Sequence, residues 1–540
     1  MTRNRLSFRR NTAARSSGWF PLSWRRALGA ALLGAIIATG QAPLQFWAVT
    51  LIALVVALRV MARQPRRVAV WTGFMLGAGY GVTAMCWIVE PFFVEPEIYG
   101  WLSPLAIIGI GAGMGAFWAF GVGVGHMLGG ARPLNRAAGM ALGLLAAEFG
   151  RSYLFTGLPW ALIGHSFVGT PVAQLAAVIG PLGLSAAMLC LCVLGAVPSG
   201  RSRSVAALIG AAVFAGAWAW GAGRLAAPVE AGVEPPATVR LVQPNAPQAL
   251  KWRDGFARMF FDRHLSLSAA PFDGARGARE LTPPMTDMPI LAQGKRPDLV
   301  IWPETAVPFW LDETGTGLDL IAQATGTMTA LGIQRAQGVT FFNSMAVVTA
   351  QGQLVDVYDK FHLVPFGEYV PYGDALARFG ITAFAAQQGN GYSAGEGAKV
   401  LDLGAAGARA LGKVQPLICY EAVFPQDLRA APERPDWLMQ ITNDAWFGQL
   451  VGPQQHLAQA RLRAIEQGLP MLRVANTGIS AVIDAKGEVL AQLGMDRAGL
   501  IDADLPAALP PTPYAKRGDL PVFLALLLGM AVVFLRRQRV

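Results

Sequence analysis

The strongest constraint on this chain is where its charges are missing. Residues 1–226 contain no Lys and no Asp, and their only acids are Glu90, Glu95, Glu97 and Glu148, against 17 Arg. The remaining residues carry 27 basic and 30 acidic side chains. Long uncharged runs fill the first part: Ala27–Leu58, Val68–Val89, Tyr99–Leu128, Thr170–Val197 and Ser204–Gly223. Ala137–Phe155 is interrupted only by Glu148 and Arg151. A last run, Leu520–Leu535, is short and is backed by Arg536, Arg537 and Arg539, which can snorkel to headgroups. Apolar runs of this length predict membrane-crossing helices and exclude a single soluble domain. The Gly-rich stretch Gly109–Gly125 predicts a small-residue face where helices pack.

The Arg clusters predict the orientation. They stand at Arg25/Arg26, Arg59/Arg63/Arg66/Arg67, Arg132/Arg136, Arg201/Arg203 and the C-terminal tail, so every second loop is basic. Basic loops stay in the cytoplasm. The pattern holds only if Ala27–Leu58, broken at Gln41-Ala42-Pro43, counts as two spans. The expected layout is a basic cytoplasmic N-terminus (1–26), a bundle of about seven spans (27–225), an extracytoplasmic domain (226–517), a C-terminal span (520–535) and a basic cytoplasmic tail (536–540). In a bacterium the domain is then periplasmic and the bundle lies in the inner membrane. A cleaved signal peptide is the competing reading of the N-terminus, but its removal would break the alternation of basic loops. The net charge of +10 belongs to the flanks of the spans and does not point to nucleic acid.

Residues 226–517 read as an α/β layered domain. "TVRLVQ" (238–243) and "PDLVIWPETA" (297–306) contain strands, "NSMAVVTAQGQLVDVYDK" (343–360) a hairpin, and "KVQPLICYEAVFPQDLR" (413–429) a strand, a turn and a helical stretch. "PDWLMQITNDAWFG" (435–448) holds a further strand, "HLAQARLRAIEQG" (456–468) a helix stopping at Gly468, and residues 470–493 two or three more strands. Three strand ends present Glu304, Lys360 and Cys419, and layered α/β folds build sites where strands stop. A thiol needs a base to become a thiolate, and a carboxylate supplies one. A tetrahedral intermediate needs positive charge at its oxygen, and a Lys supplies that. Cys86, Cys190 and Cys192 fall inside spans and read as small apolar packing residues. Cys419 has no partner in its domain, so no disulfide framework is expected. With five His, no ligand-spaced cluster and no phosphate-cradling Gly loop, neither metal, nucleotide nor other cofactor is expected.

Taken singly, each of these three residues has an ordinary structural explanation. Together, "WPETA", "YDKFHLVPFGEYVP" and "LICYEAVFP" resemble the three signature blocks of the nitrilase, or carbon–nitrogen hydrolase, superfamily, whose catalytic residues are Glu, Lys and Cys in that order. Position by position, Glu304 matches the general base, Lys360 the oxyanion stabiliser and Cys419 the nucleophile. The closer resemblance is to the apolipoprotein N-acyltransferase branch, through "NAPQALKW", "FTGLPWALIGHS" and "TNDAWFGQLVGPQQHLAQARLRAIEQGLPMLRVANTGISAVID". It implies a multi-span helical bundle joined to an αββα sandwich. It also implies acyl transfer from a membrane phospholipid, typically phosphatidylethanolamine, to the α-amino group of a diacylglyceryl-cysteine at an apolipoprotein N-terminus. Glu368 corresponds to a fourth polar residue that positions Lys360 or the reacting carbonyl. Tyr420, whose backbone N–H is a candidate oxyanion donor, and Glu421 are secondary candidates. Trp252, Tyr420 and Trp446 either line an acyl pocket or sit on membrane-facing loops. Glu148 and Arg151, one turn apart, are either functional or at headgroup level. A membrane-tethered amidase acting on small C–N substrates would share the triad, and a transporter would not need it.

Overall fold

The computed structural model describes residues 21–197, 200–229, 235–282, 290–292, 294–371, 391–407 and 411–538. Most of the basic N-terminus (1–20) and the end of the tail (539–540) lie outside the described residues. α1 (Trp24–Ala38) and α2 (Trp47–Ala62) divide Ala27–Leu58 between them, so the Gln41-Ala42-Pro43 break makes two helices. α3 (Arg66–Ala84), α4 (Ser103–Gly129), α5 (Pro133–Tyr153), α6 (Ala176–Gly195) and α7 (Arg201–Ala226) follow, and Leu520–Gln538 ends the chain. Among the described residues, Pro96–Gly129, Pro171–Gly195, Arg201–Ala226 and Leu520–Gln538 are each long and apolar enough to cross a membrane. α3 qualifies only with the 3-10 helix Cys86–Phe93, to which it is bent by 48°.

The outer face of this bundle is apolar: Leu32, Ile52, Leu105, Ile108, Phe120, Leu208 and Leu528 are all exposed. A patch of that kind needs lipid or protein to cover it. α4 meets α5 through Gly121 against Gly143 and Gly125 against Gly139, where a Cβ on either helix would strike the other's carbonyl. This is the close approach that small residues permit; Gly109 and Gly113 face open space instead. α1 packs on α3 in the same manner, with Gly79 against the Ala31 carbonyl, so it is a packed member of the bundle. Basic side chains gather at one end. Arg59 donates to the Gly195 carbonyl, Arg136 to Ala62 (3.4 Å) and Arg537 to Met127 (2.8 Å). All four cysteines are free; Cys192 is buried, but Cys190 is exposed on α6 and therefore does not pack inside the bundle as expected.

The α/β part has two sheets. The first is built from β1 (Thr238–Gln243), β2 (Gly277–Glu280), β3 (Leu299–Ile301), β4 (Met328–Gln337), β5 (Thr340–Val348), β6 (Leu354–Asp359) and, from the end of the domain, β13 (Gly499–Asp504). Its order is β2-β13-β1-β3-β4-β5-β6. The second comprises β7 (Leu401–Asp402), β8 (Lys413–Ile418), β9 (Trp437–Thr442), β10 (Met471–Ala475), β11 (Ser480–Ile483) and β12 (Val489–Leu493), in the order β12-β11-β10-β9-β8-β7. The centre of each sheet is parallel: β1-β3-β4 and β8-β9-β10.

The two-residue period of the strands sorts their side chains into layers. Val239, Leu241, Leu299 and Ile301 point between the sheets, where they join Ile418, Met439, Ile441, Leu472 and Val474. Val242 and Val300 point outward onto α8 (Phe256–Ala269) and α9 (Gly317–Thr325). Leu417, Leu438 and Met471 point outward onto α10 (Gly452–Gln467). The result is an αββα sandwich. α10 begins with Pro453 in its first turn and ends at Gly468 in the left-handed conformation, the usual start and stop residues. Its other face, Ala458, Leu462 and Ile465, joins one core with Trp160 and Leu184 of the helical part. The final helix α11 (Leu520–Gln538) returns along the bundle, with Gly529 facing Leu142 of α5.

Candidate active site

β3, β6 and β8 stop three, one and one residues before Glu304, Lys360 and Cys419, and their ends carry these side chains into one buried site. Glu304 follows the buried pair Trp302-Pro303 and opens a turn with Thr305. Its Oε1 accepts from Asn343 Nδ2 (2.7 Å) and its Oε2 from the Asn443 backbone N–H (2.8 Å). Lys360 is 1% exposed, and its Nζ lies 2.7 Å from Glu368 Oε2 and 3.8 Å from Glu304 Oε1. Glu368 is thus a buried partner of Lys360, and its Oε1 shares the Asn343 amide (3.0 Å) with Glu304. Cys419 sits at φ +52°, a conformation a non-glycine residue holds only when its surroundings impose it.

The charges bias one another. Burial raises the pKa of the Glu304 carboxyl, with Lys360 opposing and Glu368 assisting. Burial also raises that of the Cys419 thiol, and the Glu304 carboxylate adds to this while Lys360 opposes. Burial pulls the Lys360 ammonium down, but the Glu368 and Glu304 carboxylates outweigh it and hold its pKa raised. The resting site is therefore a neutral thiol beside a lysine ammonium and a carboxyl group of enhanced basicity. Such a carboxylate is matched to taking a proton from the thiol as it attacks. Among the described residues no group of three or more His, Cys, Asp or Glu could hold a metal ion.

Both carboxylate oxygens of Glu421 are engaged by partners other than Glu304, Lys360 and Cys419. It is fully buried and accepts from Tyr358 Oη (2.8 Å), the Phe361 N–H (2.9 Å) and the His362 N–H (3.3 Å) on one oxygen, and from the Ile418 N–H (2.7 Å) on the other. It braces the Lys360 loop against the Cys419 strand. Tyr420 is buried edge-on against His362 and Phe424, and its hydroxyl points at the Gly157 carbonyl, 3.5 Å away. Trp252 and Trp446 are both half-buried. Trp252 follows Lys251, whose Nζ reaches the Glu304 carbonyl (3.2 Å) and Thr305 Oγ1 (2.8 Å). Trp446 lies in the turn Asp444–Phe447, next to the Asn443 that holds Glu304.

The site is set against the helical part through residues 154–168. His362 Nε2 lies 3.1 Å from the Thr156 carbonyl, and Trp160 Nε1 donates to Gln455 Oε1 (2.6 Å) on α10. Glu148 and Arg151 shape that segment from within the bundle, both buried and 3.9 Å apart. Glu148 accepts from the Ile163 N–H (2.7 Å), and Arg151 donates to the carbonyls of Leu158, Trp160 and Ala161. Within the bundle they act as a buried staple on this segment.

Comparison with known proteins agrees with both parts. Residues 238–513 match the carbon–nitrogen hydrolase family, and residues 33–194 match the apolipoprotein N-acyltransferase N-terminal domain. The apolipoprotein N-acyltransferase of Sinorhizobium fredii (strain NBRC 101917 / NGR234) is 38% identical over 478 residues, 86% of this chain and 85% of that protein. That of Rhodopseudomonas palustris (strain ATCC BAA-98 / CGA009) is 34% identical over 538 residues, 95% of this chain and 96% of its own. The chain belongs to the apolipoprotein N-acyltransferase family. It is an acyltransferase with a nitrilase-type sandwich, and its apolar helices make it a membrane protein.

Asn343, Lys251 and the Asn443 N–H touch Glu304 and have no individual signal in the sequence. Asn343 opens a run of six buried residues in β5, and only the meeting of β5 with the segments after β3 and β6 gives its amide two carboxylates. Lys251 lies within "NAPQALKW", a block of the family resemblance, beside Trp252.

Proposed function

We propose that the protein transfers an acyl chain from a membrane phospholipid, phosphatidylethanolamine being the expected donor, to the N-terminal α-amino group of a diacylglyceryl-cysteine on an apolipoprotein. The supporting observation is that the Glu304, Lys360 and Cys419 side chains meet in a buried site whose wall, Gly157 against Tyr420, belongs to a segment between membrane helices. Glu304 takes the Cys419 proton as the sulfur attacks the ester carbonyl carbon. Lys360, with the Tyr420 backbone N–H, stabilises the oxyanion. The C–O bond breaks, the lysophospholipid oxygen recovers the proton from Glu304, and a thioester remains on Cys419. The incoming amine attacks that thioester and gives a proton to Glu304, which returns it to the departing sulfur. Glu368 keeps the Lys360 ammonium in place through both halves. Both substrates arrive by lateral diffusion, the site facing the periplasm from the bacterial inner membrane.

The test is the intact mass of the purified full-length protein after incubation with phospholipid alone. The expected result is a gain of one fatty acyl group, lost on adding a diacylated lipopeptide and absent in Cys419→Ala. Steady release of free fatty acid with no acyl-enzyme would sink the transferase reading in favour of a hydrolase.

A further inference from the structure

Behind Cys419 lies a closed ring of polar side chains that the transfer steps above do not use. Gln440 donates from Nε2 to the Cys419 carbonyl (3.0 Å), and His456 Nε2 lies 3.1 Å from the same oxygen. Gln440 Oε1 accepts from Arg473 Nη1 (2.7 Å), and Arg473 Nη2 binds Asp444 Oδ2. Asp444 Oδ1 accepts from His456 Nδ1 (2.9 Å) and from the Thr442 hydroxyl (2.9 Å). Parallel pairing of Ile418 with Ile441 puts Thr442, one residue further on, beside Cys419. Thr442, Asp444, Gln440, His456 and Arg473 are all buried.

With its oxygen taken by Arg473, the Gln440 amide nitrogen lies 3.0 Å from both the Cys419 carbonyl and His456 Nε2. His456 Nδ1 faces Asp444 Oδ1 and also lies 3.3 Å from Arg473 Nη2. Burial alone would raise the Asp444 carboxyl, but Arg473 and His456 overcome it and hold it down, to about 2. Asp444 is therefore a permanent carboxylate that satisfies Arg473 and orients Thr442. The Thr442 hydroxyl is also one of the groups that favour the thiolate form of Cys419.

We propose that Thr442 is a positioning residue for the nucleophile: its hydroxyl, parked on Asp444 at rest, turns to the Cys419 sulfur as the thiol gives its proton to Glu304. Thr442 keeps its own proton throughout. Gln440 meanwhile pins the Cys419 carbonyl, which fixes the left-handed backbone and hence the direction of the sulfur. This inference rests on the reading of Cys419 as the nucleophile.

The experiment is the rate of alkylation of Cys419 by iodoacetamide in the purified full-length protein, read peptide by peptide across a pH series. Thr442→Val keeps the side-chain shape without the hydroxyl, and Thr442→Ser restores the hydroxyl. One hydrogen bond to a charged group corresponds to a rate lower by about tenfold and a reactivity midpoint higher by about one pH unit in Thr442→Val, with both restored in Thr442→Ser. A residue that only fills space would leave the pH midpoint where it is. If Thr442→Val does not fold, Thr442→Ala is compared with Thr442→Ser in the same way. Equal midpoints in the wild type and the hydroxyl-free variant would overturn the inference. Cys419→Ala incubated with phospholipid separates the two readings. A surviving acyl adduct there removes Cys419 as nucleophile, whereas an adduct lost there with an unmoved Thr442→Val midpoint removes Thr442 alone.

Discussion

Asn343→Ala is the most informative single change at the site. One Nδ2 atom lies 2.7 Å from Glu304 Oε1 and 3.0 Å from Glu368 Oε1, so the substitution takes a shared donor from two carboxylates. A hydrogen bond to a charged group contributes about 1.5–3 kcal/mol. Glu304 retains the Asn443 N–H and Lys360, which places the loss near the low end, about 2 kcal/mol or about 30-fold in rate. The sign of the pH effect follows from the ionised form being the base. Burial already raises the Glu304 pKa, and the Asn343 donor is among the groups that oppose the rise. Without it the pKa climbs further, so the acid limb of thioester formation moves to higher pH and the deficit shrinks as pH increases. Stability behaves oppositely. A carboxyl whose folded pKa is raised favours the fold while it is protonated and loses that contribution as pH rises through the folded pKa. The variant therefore becomes relatively less stable with increasing pH. The assay is the initial rate of acyl-enzyme formation by intact mass across a pH series, alongside thermal unfolding in the same detergent. An unchanged rate with an unmoved acid limb would refute the assignment of Asn343 as the clamp on Glu304.

Glu304→Gln and Lys360→Ala are each expected to abolish acyl transfer with membrane insertion intact, because the triad acts as a unit; near-normal transfer by either variant removes that residue from its role. Arg151→Met leaves the Glu148 carboxylate buried without its partner, so an unfolding penalty of about 3–5 kcal/mol and a lower thermal midpoint are expected; an unshifted midpoint would show that the staple carries no load. A topology reporter inserted after Gly223 is expected to signal periplasm and one at the C-terminus cytoplasm, and reversed signals at both would overturn the charge-derived orientation.

The uncharged runs foretold the helices well because lipid leaves few alternatives to an α-helix. The three strand ends were legible because each strand pattern stops at or just before a polar or thiol side chain, Glu304, Lys360 or Cys419. β4 was not. Its first six residues are buried on both faces, so it lacks the alternation that marks a half-buried strand. The site's inner polar groups were equally hidden: Asn343, Gln440 and Arg473 acquire their partners from segments adjacent in space but distant in sequence. Glu421 shows the converse. Standing two residues from Cys419 it invites a chemical role, yet four donors converge on it from β6, the loop that follows it and the end of β8, and make it a brace.

The shared core has a consequence for how this protein can be divided. Ile37 and Leu76 of the bundle and Leu462, Phe424 and Ile501 of the sandwich belong to a single contiguous apolar cluster, and α10 has no free face, one side lying on the second sheet and the other on the helices. Cutting the chain at the edges of the hydrolase match would strip Leu462, Ile465 and Phe424 of their cover and open several buried contacts to water, at about 1.5–3 kcal/mol for each large side chain. The sandwich is thus not a soluble enzyme on a tether. The expected behaviour is a single cooperative melting transition for the whole chain, and an excised fragment 238–513 that aggregates; a monodisperse, cooperatively melting fragment would refute this.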